Sequence, residues 1–271
     1  MMKAIAKYPG SKWSLADWII RFFPKHHSYL EPFFGSGAVL FNKPRSNIET
    51  VNDLDCNVVN LFECIRENPE KLARMIYMTP YAREVYERSY EEIPEDKFEV
   101  ALNFYIRLNM CHGFRTNKKV GWKNDVQGRE RAYASQDWCN LPEKVIQAAE
   151  RLRGVQIENM PAVELIKRFN FENVLIYCDP PYMLESRSGK QYRCEMNDME
   201  HEELLKVLLQ HKGLAMISGY DTELYRDILS KWERRENTSY SQVCSKKKEV
   251  LWLNFKPVNI QMTFEDFGGL I

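Results

Sequence analysis

The sequence predicts an α/β protein: a doubly wound, mostly parallel sheet interrupted by a mainly helical insertion. Three observations carry this. A β-favouring run, a glycine-rich bend and an apolar helical start follow one another in "SYLEPFFGSGAVLFN". Apolar strand-like runs alternate with an amphipathic helix in the last third of the chain, and the stretch between is dominated by long helical patterns. At 271 residues the chain is long enough for one large core, or for one domain carrying a smaller insert.

In "SLADWIIRFFP" Leu15, Trp18, Ile19 and Phe22 recur at helical spacing, and Pro24 closes the helix. The strand, bend and helix of "SYLEPFFGSGAVLFN" come next, and "IETVNDLD" is a second short strand ending in acids. Such a unit is the front half of a nucleotide-binding α/β fold. From Asn57 to about Glu150, "NVVNLFECIRENPEKLARMIY" and "FEVALNFYIRLNMCHGF" read as helices. The polar stretch "RTNKKVGWKNDVQGRERAYASQDW" has no clean period and reads as a functional loop. Strand texture returns in "VQIENM", "NVLIYCDPP" and "GLAMISGY", with the helix "EHEELLKVLLQH" between the last two and a final strand in "KEVLWLNF". The sheet is thus assigned to residues 1–60 and 150–271, and the insertion to residues 61–149.

Composition excludes several classes. Thirty-eight basic residues balance thirty-eight acidic ones, so any affinity for a polyanion must come from local clustering. Seven cysteines without a CxxC pair suit a reducing cytosol better than a disulfide framework or a zinc site, and five histidines show no metal-binding spacing. The first residues hold no apolar leader, and no run of 18 apolar residues occurs. A cytoplasmic protein without metal is expected.

Three motifs carry chemistry. Gly35 and Gly37 let the backbone turn tightly beside a ligand, although an ordinary βα turn explains a lone GxG equally well. Asp53, sixteen residues beyond Gly37, stands where dinucleotide folds place a ribose-binding acid; the turn lacks a full GxGxxG, so a nucleoside without a pyrophosphate fits better. In "VLIYCDPPYMLE" two prolines stop a buried strand and fix Asp179, Pro180, Pro181 and Tyr182 in a stiff turn. Asp179 and the Pro180 carbonyl are adjacent acceptors, and Tyr182 is a flat ring beside them. A planar group bearing an exocyclic NH₂ satisfies all three. In an α/β sheet these motifs all fall at strand carboxyl ends, hence in one crevice.

"DPPY" after an apolar strand, "EPFFGSGAVLFN", "YPGSK" before it and "ND" between them resemble the Dam-like (D12 class) DNA adenine-N6 methyltransferases, from Tyr8 to "KKKEVLWLNF". The resemblance implies a Rossmann-like methyltransferase sheet, S-adenosylmethionine as cofactor and double-stranded DNA as partner. It implies no membrane and no metal, and restriction-modification, with a cognate restriction nuclease, is one setting for such enzymes. Carried over by position, Tyr8 and Lys12 would contact the cofactor, Phe34, Gly35, Ser36 and Gly37 would wrap its methionine part, and Asp53 would hold its ribose. Asp179, which also borders the cofactor, would bind a flipped-out adenine together with Pro180, Pro181 and Tyr182. Tyr8 and Ser11 depart from the family's "WxGGK"-like turn, and Pro161 replaces an acid often found there, so no adenine-ring contact is assigned.

Target recognition is expected from the insertion. Between Asn103 and Tyr133, Arg107, Arg115, Lys118, Lys119, Lys123, Arg129 and Arg131 face only Asp125 and Glu130, interleaved with Asn109, Asn117, Trp122 and Asn124. Of these, Arg107, Arg115, Asn117, Lys118, Lys119, Trp122 and Lys123 are the candidates for DNA contact. A solvated polar face is the bland alternative. Lys246, Lys247 and Lys248 would add a second phosphate contact. "LNMCHGFRTNKK" matches only the first of two runs typical of GATC-reading enzymes and is nearer to prophage-type relatives. Amino methylation of cytosine N4, of RNA adenine or of a protein amide, and a silent nucleic-acid-binding module, remain the alternatives at this stage.

Overall fold

The computed structural model describes residues 4–91, 94–113, 115–124, 133–187, 189–240 and 246–257. The front unit is α1 (Ala16–Ile20), β1 (Ser28–Glu31), α2 (Ala38–Asn42) and β2 (Ile48–Asn52). Six helices follow: α3 (Cys56–Glu67), α4 (Pro69–Met78), α5 (Arg83–Glu91), α6 (Lys97–Asn109), α7 (Ala134–Cys139) and α8 (Leu141–Arg151). The sheet resumes with β3 (Val155–Glu158), α9 (Ala162–Arg168), β4 (Val174–Cys178), α10 (Asp198–Leu209) and β5 (Leu214–Tyr220). It ends with α11 (Glu223–Ile228), β6 (Glu233–Tyr240) and β7 (Lys246–Leu253).

The seven strands form one sheet in the order β3-β2-β1-β4-β5-β7-β6. β1 to β5 are mutually parallel, and β7 runs antiparallel between β5 and β6. The order reverses between β1 and β4, so their connections leave to opposite faces and a crevice opens beyond their carboxyl ends. The expected doubly wound sheet is present.

Alternation along the strands builds two cores. Tyr29, Leu175, Tyr177, Met216 and Leu251 face one side, against α3, α4, α6 and α8. Leu30, Ile176, Cys178, Ile217 and Trp252 face the other, against α9, α10 and α11. β4 is buried at every position, as a central parallel strand must be. Capping fixes the longer helices: Asp55, Asn68 and Asp96 accept from first-turn amides, and Asn197 with Glu200 forms a capping box on α10.

The helices between β2 and β3 pack on the same core as the sheet. Phe62 of α3 lies 4.6 Å, ring to ring, from Phe34 of the glycine turn, so the expected boundary at residue 61 falls inside a helix packed against that turn. α1 is shorter than its periodicity suggested, because the chain tightens after Ile20 into bonds from Phe22 to Ile19 and from Phe23 to Ile20. No helix among the described residues is long and apolar enough to cross a membrane.

A buried ionic knot joins β2 to α8. Glu49, 3% exposed, accepts two bonds from Arg151 (2.6 and 2.9 Å), one from Lys43 (2.5 Å) and one from the Ser46 amide (3.1 Å). Burial pushes its carboxyl up, but Arg151 and Lys43 outweigh this and hold it below the ordinary value. The stability it contributes is therefore present above the unfolded-chain value and lost as pH falls through the lower folded one. Glu49→Ala, which strands two cations, is expected to cost ~3–5 kcal/mol in urea unfolding at neutral pH and to flatten the acid limb of the stability profile.

Candidate active site

A cavity of about 210 Å³ opens at the reversal point, lined by the ends of β1, β2 and β4. Its walls form because buried polar groups find one another. Asn52 donates to the carbonyls of Pro32 (2.9 Å) and Met160 (3.0 Å) and accepts from the Met160 amide (3.0 Å), tying the ends of β1, β2 and β3 together. The Phe34 amide donates to the Asn52 carbonyl and the Gly35 amide to Asp53 Oδ2 (2.8 Å), which locks the glycine turn onto β2. Ser11 and Ser36 share a bond of 2.8 Å, which brings the Tyr8–Lys12 turn onto the same wall.

Gly35 and Gly37 have φ of 48° and 68°, a region L side chains rarely adopt. A Cβ on Gly37 would come within 2.6 Å of Phe34 and Phe41, and one on Gly35 within 3.1 Å of Tyr8. The glycines are therefore required by aromatic packing as well as by the turn.

Acids crowd the crevice. Asp53 accepts from Gly35 and, through Oδ1, from the Asp55 amide (2.9 Å); burial pushes it up to about 6 despite these bonds. Glu31, 2% exposed, accepts from the Tyr29 hydroxyl (2.8 Å) and is pushed up to about 8 by burial, with Asp179 adding to the effect. Asp179 Oδ1 accepts from Ser218 Oγ (2.7 Å) and lies 3.0 Å from Lys12 Nζ. Glu249 of β7 accepts from the Tyr182 hydroxyl, and its carboxyl is pushed up by burial. Lys12 is buried as well. Desolvation alone would lower it, but Asp179 and Glu249 hold it above the ordinary lysine value.

The structure brings Tyr8, Lys12, Phe34, Gly35, Ser36, Asp53, Asp179 and Pro181 to the cavity lining. Gly37 caps α2 behind it, Pro180 is buried, and Tyr182 lies next door, edge to face with Tyr220. Lys12 sits 4.6 Å from the Tyr182 ring centroid, nearer the acid–proline turn than its expected cofactor role implied. Several lining residues were absent from the expected set: Glu31, Leu54, Pro161, Val163 and Tyr192. Glu31 was legible inside "EPFFGSG" as an acid at a strand end; Tyr192, whose ring lies 6.0 Å from Tyr8, had no sequence signal.

Of the DNA candidates, Asn117, Lys118 and Lys119 are exposed and Arg115 is half-buried. They lie on a loop closed by the bridge between Cys111 and Trp122. Arg107 stacks over Tyr90, Trp122 packs against Tyr81 and Arg83, and the Lys123 backbone bonds Met110 and Tyr81. Arg129 and Arg131 lie outside the described residues. Lys248 pairs with Glu236 across β6 and β7. Among the described residues no group of three or more His, Cys, Asp or Glu could hold a metal ion.

The strand order, with its reversal between β1 and β4 and its antiparallel β7, puts the fold in the class of doubly wound, Rossmann-like α/β proteins. Within that class the chain belongs to the D12 class N6 adenine-specific DNA methyltransferases, a family that matches residues 8–243. The Type II methyltransferase M.FokI of Planomicrobium okeanokoites is 24% identical across 94% of this chain, which spans 43% of that protein's length. The DNA adenine methylase of Salmonella typhi is 25% identical over 83% of each chain. That of Vibrio cholerae serotype O1 is 24% identical over 83% of this chain and 85% of its own.

Glu31 generates a pH prediction. Between the ordinary glutamate value and about 8, the folded protein binds a proton that the unfolded chain has released, so stability falls as pH rises through that window. Glu31→Gln, which mimics the protonated acid, is expected to flatten the slope of the urea midpoint between about pH 5 and 9.

Proposed function

We propose that this chain transfers a methyl group from S-adenosylmethionine to the N6 amino group of an adenine flipped out of double-stranded DNA. One observation carries the reading: Asp53, the glycine turn and Asp179 border a single cavity. The family assignment supports the same chemistry.

The cavity fits a cationic nucleoside. Leu54, Pro161 and Val163 offer an apolar slot for a purine beside Asp53, whose second lone pairs suit ribose hydroxyls. Glu31 and Asp179 line the deeper part with hydrogen-bond acceptors, and the Asp179 carboxylate favours an ammonium and a sulfonium over a phosphate. When bound, the cofactor supplies an already activated methyl, so the chain's residues need only bind, orient and exclude water.

An adenine amino group is a weak nucleophile because its lone pair is delocalised into the ring. Asp179 and the Pro180 carbonyl accept hydrogen bonds from its two N–H groups and favour a pyramidal nitrogen whose lone pair points at the methyl. Ser218 and Lys12 hold Asp179 in place, so acceptor geometry exists before the base arrives. Tyr182 takes the ring of the flipped base, and stacking there offsets part of the unstacking cost of a few kcal/mol.

Residues 61–149 are the proposed recognition subdomain. Asn117, Lys118 and Lys119 face solvent on its loop, and exposed Arg193 stands on the segment after the catalytic turn. Thr116 joins the two: its amide donates to the Gln191 carbonyl (2.9 Å), and its hydroxyl accepts from the Arg193 amide (3.0 Å).

Asp179→Ala is expected to abolish labelled-methyl transfer to duplex DNA, while Tyr182→Ala weakens transfer and leaves cofactor affinity, by calorimetry, near that of the parent. Nucleoside mass spectrometry of the product should find N6-methyladenine; N4-methylcytosine in its place would overturn the assignment. The pair Lys118→Ala with Lys119→Ala should weaken DNA binding irrespective of sequence. It should also make the slope of log K against log salt shallower by about 0.9 for each phosphate no longer neutralised.

A further inference from the structure

Lys12 stands between two carboxylates. Its Nζ lies 3.0 Å from Asp179 Oδ1 and 3.6 Å from Glu249 Oε1, and it donates to the Gly10 carbonyl at 2.8 Å. The lysine and glutamate side chains are 6% and 5% exposed, and that of Asp179 is 19% exposed. The same ammonium covers the Tyr182 ring at 4.6 Å. It therefore engages both groups that the proposed function assigns to the target base.

An ammonium and an exocyclic amino group compete for one carboxylate. If the base displaced Lys12 from Asp179 with no other acceptor at hand, a cation would be left buried and unpaired, at a cost large enough to oppose binding. Glu249 removes that obstacle. It sits on β7 opposite Tyr220, fixed by the Tyr182 hydroxyl, and a small movement of the lysine closes the 3.6 Å gap.

We propose that Glu249 is the second seat of Lys12: as the adenine amino group takes Asp179, the lysine passes its ion pair to Glu249, and every buried charge stays partnered throughout. No bond to carbon is made or broken in this exchange. Glu249 is a positioning residue that acts through Lys12, and the inference rests on the reading of Asp179 and Tyr182 as the base-binding groups.

The competing account is that Glu249 only anchors the Tyr182 hydroxyl. Glu249→Gln separates the two, because an amide oxygen still accepts that hydrogen bond but carries no charge for Lys12. With the full chain, saturating S-adenosylmethionine and an unmethylated duplex that the parent methylates, the single-turnover rate of Glu249→Gln is expected to fall about 10- to 100-fold, the size of one lost charge-assisted bond. Cofactor and duplex affinities should stay at the parent's values. Lys12→Met supplies the second arm: with no lysine to seat, adding Glu249→Gln should change its rate by less than about twofold.

A parental rate for Glu249→Gln, or losses that multiply in the double variant, would overturn the second seat. Asp179→Ala run in parallel keeps the two readings apart. If it retains activity, the base-binding assignment falls; if it is inactive while Glu249→Gln is unchanged, only the lysine exchange falls.

Discussion

Buried negative charge at the carboxyl edge of the sheet is the constraint around which this structure is arranged. Glu31, Asp53 and Asp179 end or follow three different strands and line one crevice, and Glu249 of β7 lies beside it near Lys12, where an uncompensated carboxylate would be costly. Each is compensated differently. Asp53 takes backbone amides from Gly35 and Asp55, Glu31 takes the Tyr29 hydroxyl and holds a proton, and Asp179 takes Ser218 and Lys12. Glu249 shares the same lysine and takes the Tyr182 hydroxyl. The tight glycine turn, the inward lysine and the placement of β7 all serve these partnerships. A crevice balanced in this way accepts added positive charge readily and added negative charge poorly.

The segment after the Asp179–Tyr182 turn extends this arrangement outward. Arg187 donates to the Tyr182 carbonyl and pairs with Glu195, which also accepts from the Gln191 and Tyr192 amides. These bonds press Tyr192 against Tyr8, where it closes one side of the cavity. Because Thr116 clasps the same segment, the wall of the cavity and the exposed Lys118–Lys119 loop are two sides of one hydrogen-bonded unit. A change in the loop on binding a phosphate backbone would thus reach the cavity through a few backbone bonds.

The fold was legible wherever hydrophobic pattern decided it. β4 and β5 are apolar runs bounded by turn residues, β1 and β2 are short β-favouring runs beside the glycine bend and the acids, and α10 carries both its period and its capping box in sequence. β6 was not legible, because "ERRENTSY" shows no apolar alternation and its place as an edge strand is supplied by pairing with β7. The site divides in the same manner. Local motifs announced Asp53, Gly35 and Asp179, whose roles depend on a turn a few residues long. Glu249 and Ser218 gave no signal, since a carboxylate in a strand reads as an outward charge until its partner, far away in the chain, is known. Lys12 was noticed, but its place beside Asp179 follows from the sheet and not from its own turn.

Strand register therefore does as much for the site as its motifs do. Cys178 is paired with Ile217, so Ser218 falls next to Asp179; Tyr220 is paired with Glu249, so the glutamate falls beside the ring that Tyr220 supports. Successive side chains on β7 point to opposite faces, and a slip of one residue would carry Lys248 inward and Glu249 outward. That slip would set a second cation against Lys12 and leave Asp179 as the acceptor for both. The shapes of the residues that follow resist it: Val250 and Trp252 fill one core and Leu251 and Leu253 the other, so a slip would drive the Trp252 indole into a core packed around leucines. Packing that looks purely structural thus fixes the sign of the charge opposite Lys12, and with it the acceptor left for an incoming amino group.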